Sequence, residues 1–251
     1  MMIKMKIITK FIENNSCFKA NVNRISQKYI DFQENGPQGG LLHSVGCAQS
    51  KADVFYNSWN KEGKDVAVHA VIDAETGDTN QFMPWSYRGW HAGGSANDTH
   101  LGVEMCESKY IKYLVPGDEG YAPAKFKILD LEKARADCQR TYNSAVELFA
   151  MLAEMYKWNV DTDILSHKEA GKKGIATGHA DPEHFWTGLG MPYTMNGFRA
   201  DVKAKISENN KPKYIYRIQV GSYSKKKYAE AMLKKVQQHY PKAFIKKEEK
   251  K

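Results

Sequence analysis

The chain has 251 residues, 42% of them hydrophobic and 26% charged, and its 37 Lys+Arg against 29 Asp+Glu give a formal net charge of +8. The excess is uneven: residues 203–251 carry 15 Lys+Arg against 4 Asp+Glu, which leaves residues 1–202 mildly acidic with 22 against 25. This argues against a nucleic-acid binder along its whole length, predicts two units, and gives the first unit enough residues for one α/β domain with a real core.

No stretch approaches the ~18 apolar residues of a membrane-spanning helix. The opening MMIKMKIITKFIENN lacks the apolar run and small-residue cleavage site of a signal peptide, so none is expected. Cys17, Cys47, Cys106 and Cys138 form no CxxC pair and are expected to be buried, reduced thiols of a protein made in the cytosol.

Residues 21–31 open with a helical turn. GGLLHSV (39–45) reads as a strand with Leu41 and His43 on one face, and residues 50–60 as a short helix capped by Ser50 with Asp53 three positions on. DVAVHAVID (65–73) is apolar on both faces and predicts a central strand, turning through Thr76-Gly77-Asp78 into another short strand. In HLGVEMCES (100–108), Leu101, Val103 and Met105 point one way, and Gly102, Glu104 and Cys106 the other. Residues 131–158 form the longest helix, with apolar positions from Leu131 to Met155 spaced mostly three, four or seven apart. LSHKEAGKKGIATGHADPEHFW (165–186) reads as an irregular, Gly-punctuated loop, and residues 194–206 as a helix capped by Thr194. SENNKPK (207–213) is the expected linker. Beyond it, residues 214–224, 226–240 and 243–247 read as one β-α-β unit.

Seven of the eight histidines lie in the first unit. His43 ends a strand, His167 begins the Gly-rich segment, and Asp181 follows fourteen residues later. Two imidazoles and a carboxylate suit Zn²⁺ with a fourth position open to water, and such an ion activates water and polarises a carbonyl. The chain has no HExxH and no paired CxxC, so spacing alone does not identify the site. His69 reads as a core or supporting residue, and His100 and His184 receive no role.

The order LLHSVG, VAVHAVID…GDTNQFMPW…RGWHAGG, LGVEMCES and LSHKE…GHADPEHFW resembles the type 2 N-acetylmuramoyl-L-alanine amidases over about residues 25–205. That family includes phage endolysins and the peptidoglycan recognition proteins, and the wording of the last motif looks most like clostridial phage or prophage enzymes. The resemblance implies a mixed central sheet flanked by helices. It also implies zinc-dependent cleavage of the amide between N-acetylmuramic acid and L-alanine in peptidoglycan. Carried onto this chain, it implies His43, His167 and Asp181 as zinc ligands, Glu104 as general base and His179 as oxyanion stabiliser. His179 as third ligand, with Asp181 behind it, remains the alternative. The phenol that the family often places before the histidine of its second strand is Val68 here.

Trp85, Trp90 and His91 are candidates for a substrate groove, with Trp90 and His91 on the family's WHAG motif. Residues 214–251 resemble the first half of a SPOR domain, a peptidoglycan-binding module. One repeat alone rarely sustains a fold at under ~40 residues, so paired tails in a homodimer, or a tail packed on the body, are expected. The positive charge suits anionic wall polymers. A catalytically inactive peptidoglycan-binding protein is the alternative function. RNA binding through the tyrosine-containing basic tail ranks below both, so no nucleic acid and no membrane insertion are expected.

Overall fold

The computed structural model describes residues 5–210 and 221–246. Residues 1–210 form one compact unit and 211–251 a second.

The first unit is built on a six-stranded sheet: β1 (Ile7–Thr9), β2 (Gly39–Ser44), β3 (Ala70–Ile72), β4 (Thr79–Gln81), β5 (His100–Met105) and β8 (Ile164–Ser166), in the order β1-β4-β3-β5-β2-β8. All neighbours pair in parallel except β3 and β4, which form a hairpin around Gly77 at φ 78°, a conformation that favours glycine. A separate antiparallel pair, β6 (Ile111–Tyr113) and β7 (Phe126–Ile128), follows the sheet's centre in sequence. This is the mixed α/β architecture expected.

Alternation sorts the two faces. Leu42 of β2, Ala70 and Ile72 of β3, Leu101, Val103 and Met105 of β5 and Ile164 of β8 join the largest core. They pack under α4 (Leu131–Tyr156), which supplies Leu148, Phe149 and Leu152, and α8 (Met195–Asn209), which supplies Phe198 and Val202. Each such large apolar side chain contributes about 1.5–3 kcal/mol on burial. The opposite face carries Leu41, His43, Gly102 and Glu104, and there the sheet leaves room for polar chemistry.

Several local expectations are corrected. Residues 21–31, expected to open with a helical turn, hold the end of α1 (Ser16–Val22), capped by the Asn15 side chain, and the start of a second helix, α2 (Gln27–Asn35). Helix α3 (Ala52–Trp59) takes no cap from Ser50; Asp73 Oδ2 accepts from the Ala52 amide at 3.0 Å, and Ser50 Oγ donates to Glu75 instead. Only residues 70–72 of the 65–73 segment are strand. Residues 165–186 are not one loop. They hold the end of β8, α6 (His167–Lys172) and α7 (Glu183–Gly188), with α5 (Val160–Asp163) just before. Cys17, Cys106 and Cys138 are buried thiols, but Cys47 is exposed.

In the second unit the expected amphipathic helix is α9 (Lys226–Gln237). Residues 243–246 are not strand. The strand expected over 214–224 lies mostly outside the described residues, as does 211–213 of the expected linker; Ser207–Asn209 continue α8.

Candidate functional site

A cleft of 440 Å³ opens on the polar face of the sheet, lined by His43, Glu104, His91, His167, His179, Asp181, Tyr113 and His184 among others. Six of these were singled out by sequence as ligands, catalytic groups or groove candidates, and the fold gathers them from five separate stretches.

His43 and Glu104 are side by side because β2 and β5 pair in register, His43 opposite Glu104. His167 is the first residue of α6, and its place is fixed by a capping box. Ser166 Oγ accepts from the Glu169 amide at 3.0 Å, and Glu169 Oε2 accepts from the Ser166 amide at 3.1 Å. Arg199 of α8 then clamps Glu169 with two bonds of 2.9 Å. Asp181 comes from the loop between α6 and α7, where its carbonyl accepts from the Lys168 amide.

His43 Nδ1 lies 3.1 Å from His167 Nδ1 and 3.3 Å from Asp181 Oδ2; His167 Nδ1 lies 3.5 Å from the same oxygen. All three side chains are buried. Their partners assign the protons. The His100 carbonyl only accepts, so His91 Nε2, 3.1 Å away, carries a hydrogen. His91 Nδ1 is then a lone pair and takes the hydrogen of His43 Nε2 at 3.0 Å. His43 Nδ1 is left with a lone pair facing the cleft. Likewise Thr177 Oγ1 donates to the Ala92 carbonyl and accepts from His167 Nε2, each at 3.3 Å, which leaves a lone pair on His167 Nδ1. Two nitrogen lone pairs and a carboxylate therefore converge, and repel unless a cation sits among them. Among the described residues, this trio is the His/Cys/Asp/Glu group whose ligand atoms, all within 4.8 Å of one another, could hold a metal ion. The set of two neutral histidines and one carboxylate fits zinc.

The electrostatics agree. Burial lowers the pKa of His43, which favours the neutral ligand form. Burial would raise Asp181, but when a proton rather than a cation sits among the three, donation and charge from His167 and His43 outweigh burial and hold the carboxyl well below the usual range. Glu104 behaves in the opposite way. Burial, with help from the Asp181 and Glu107 carboxylates, pushes it well above an ordinary glutamate. Its Oε2 is shut off from solvent with no hydrogen-bond partner among the described residues. An unpartnered oxygen in a cleft is poised for a proton that substrate or water brings.

His179 stacks flat on His167, with ring centroids 4.2 Å apart and planes 9° apart, and places Nδ1 3.6 Å from Asp181 Oδ1. Its side chain is half-exposed, at the mouth of the trio and outside it. His91 lines the cleft as the support of His43. Gly102 makes room for it: a Cβ there would stand 2.5 Å from His91 Cγ. Trp85 packs against the main core and Trp90 is exposed beside Arg88; neither lines the cleft. His69 is a hydrogen-bonded core residue, its Nδ1 accepting from the Gly102 amide and its Nε2 donating to the Tyr87 carbonyl. Burial pushes it down to about 4.

The profile of the family described as N-acetylmuramoyl-L-alanine amidase matches residues 33–184, which is more than half of the chain and contains every one of these site residues. The chain belongs to that family. Residues 196–251 match the SPOR domain profile, whose start falls inside α8. No curated protein sequence matches the chain. Among solved structures, the amidase unit is similar to the Staphylococcus aureus hydrolase AmiA in complex with its ligand, at 15% identity and a TM-score of 0.53, covering 83% of this chain and 86% of that one. It also matches the catalytic domain of XlyA, at 18% identity and a TM-score of 0.49, covering 79% and 99%. At these identities the likeness to AmiA concerns the fold.

Sequence reading missed the roles of Tyr113 and His184, which line this amidase-family cleft, and of Glu107, buried behind them; the three form one hydrogen-bonded cluster. The capping box Ser166-His167-Lys168-Glu169 was also missed, although its S-x-x-E spacing is a recognisable signal.

Proposed function

We propose that the chain hydrolyses the amide joining the lactyl group of N-acetylmuramic acid to L-alanine in bacterial peptidoglycan, with zinc held by His43, His167 and Asp181. The observation that carries this reading is the meeting of three electron-pair donors with the unpartnered oxygen of Glu104 in one cleft. A zinc ion in such a set lowers the pKa of water and polarises a carbonyl.

The chain's own residues supply the rest. Glu104, in its ionised form, takes a proton from the attacking water and passes it to the departing amine of L-alanine. Its pKa, raised by burial, makes the carboxylate a stronger base for that proton. His179, at the mouth of the trio, offers an N–H to the oxyanion formed on the lactyl carbonyl. His91 keeps the Nδ1 lone pair of His43 aimed inward, and the Ser166/Glu169 box with Arg199 holds His167 in place. Water adds its oxygen to the lactyl carbon, the C–N bond breaks, and the products are a lactyl carboxylate and a free L-alanine amine.

Residues 211–251, basic and matched by the SPOR profile, act in this proposal as the wall-holding unit of a lytic enzyme, whether phage lysin or host autolysin. Anionic wall polymers suit their charge. The test is digestion of purified walls before and after chelator treatment, with zinc restored in a third sample. New L-alanine amino termini that vanish with the chelator and return with zinc support the proposal. New reducing sugars, or activity indifferent to chelation, refute it.

A further inference from the structure

The cleft holds a second polar cluster that the chemistry above does not use. Tyr113 of β6 lines it, with its hydroxyl 2.6 Å from Glu107 Oε2 and 2.6 Å from His184 Nε2. Glu107, just past β5, is wholly buried, and its Oε1 accepts from Ser44 Oγ at 2.7 Å and from the Gly46 amide at 3.2 Å. The phenol is therefore anchored to the residues that follow His43 and to α7, which begins two residues after Asp181. Such short bonds to a buried carboxylate and an imidazole fix a side chain that is otherwise open to the cleft.

The direction of these bonds does not alter what the phenol presents. A tyrosine hydroxyl has one hydrogen and two lone pairs. When Glu107 is ionised, it takes the hydrogen and His184 Nε2–H donates to one lone pair. When Glu107 is protonated, it donates to the phenol and the phenol donates to His184. Either way the hydrogen and one lone pair are spent, and one lone pair remains. Tyr113 thus faces the cleft as an acceptor, complementary to an N–H. The Nδ1 lone pairs of His43 and His167 and the Asp181 carboxylate are committed to the cation, and Glu104 to the moving proton.

We propose that Tyr113 is a substrate-binding residue whose hydroxyl, fixed by Glu107 and His184, accepts an amide N–H of the peptidoglycan substrate. This rests on the amidase reading and adds a specificity contact to it. Two N–H groups have the right chemistry: the acetamido group of the sugar, and the peptide bond that follows L-alanine.

Full-length, zinc-loaded wild type and Tyr113→Phe are compared on three soluble fragments. The parent is an N-acetylmuramoyl peptide, the first analogue carries acetoxy in place of acetamido, and the second is N-methylated at the peptide bond after L-alanine. On the parent, Tyr113→Phe is expected to raise KM about five- to tenfold and leave kcat within about twofold, as loss of one ground-state hydrogen bond does. The wild type is expected to lose the same factor on one analogue, whose identity names the source of the N–H, while Tyr113→Phe shows no further loss on it. A purely structural role would slow all three fragments alike. Tyr113→Met serves in its place if Tyr113→Phe does not melt cooperatively. Unchanged KM, or equal discrimination by wild type and variant, overturns the proposal alone. A parent fragment that the wild type leaves uncut defeats the amidase reading and this proposal with it.

Discussion

Replacing His91 with phenylalanine tests whether the tautomer of His43 is imposed from behind. The ring sits against Gly89 and Gly102, where added Cβ atoms would come within 2.8 Å and 2.5 Å of it, so the slot is shaped for a flat side chain and phenylalanine keeps the fill. The substitution removes the Nδ1 acceptor 3.0 Å from His43 Nε2. His43 is 1% exposed, so its Nε2–H then has no water to turn to. An unsatisfied buried donor costs about 1–3 kcal/mol, and the ring can escape that cost by flipping the hydrogen to Nδ1, where it abolishes the ligand lone pair. Either route weakens the cation site, by about 10–100-fold in zinc affinity, as loss of a metal ligand's supporting hydrogen bond typically does. The assay is competition for zinc between the metal-free protein and a chromophoric chelator, alongside thermal melting of the metal-free form. Zinc affinity within about twofold of wild type refutes the reasoning, because His43 would then hold its tautomer without His91.

Burial pushes the Glu107 carboxyl up from 4.5 to about 7. A raised folded-state pKa gives stability that is complete below about pH 4.5 and is lost as pH rises through 7. The metal-free protein should therefore lose about 3 kcal/mol from this group between pH 4.5 and 8, and Glu107→Gln should flatten that slope in urea melts. His179→Ala should lower kcat about 10²-fold and leave zinc affinity within about twofold; a loss of affinity of tenfold or more would make His179 a ligand instead. Glu104→Gln should keep its zinc and lose about 10²–10⁴-fold in kcat. Deleting residues 211–251 should weaken wall binding and its salt dependence without changing zinc affinity, as measured by wall pull-down across a salt series.

The parts of the fold that could be read in sequence are those where local pattern and burial agree. The strand 100–105 and the helix 131–156 carry their periodicity openly, and both are central to the core. The helix cap at Thr194 was legible for the same local reason. What was misread depends on partners distant in sequence. Ser50 has the chemistry of a cap, but Asp73 reaches the Ala52 amide first because β3 ends beside α3. The segment 165–186 looked irregular because its helices are only six residues each, too short to show a periodic face: α6 is held by its capping box and Arg199, and α7 by the buried Phe185 and Trp186. The trio of His43, His167 and Asp181 could be proposed by resemblance, residue by residue. The Glu107–Tyr113–His184 cluster could not be read: its members are spread over seventy-odd residues, and only the chain's path past β5, β6 and α7 brings them together. Val68, where the family often has a phenol, is buried in the core, and the phenol that lines this cleft is Tyr113.

The central claim is that zinc held by His43, His167 and Asp181, together with Glu104, directs water onto the lactyl carbonyl. It is tested most directly by digesting the methyl glycoside of an N-acetylmuramoyl peptide, whose anomeric carbon cannot exchange oxygen, in ¹⁸O-labelled water and weighing both products by mass spectrometry. One ¹⁸O is expected in the lactyl carboxylate, with an unlabelled peptide carrying a free L-alanine amine, and both products should form about 10²-fold or more slowly with His43→Ala or Glu104→Gln protein. Label in a sugar reducing end or in the peptide, or undiminished cleavage by either variant, would contradict it.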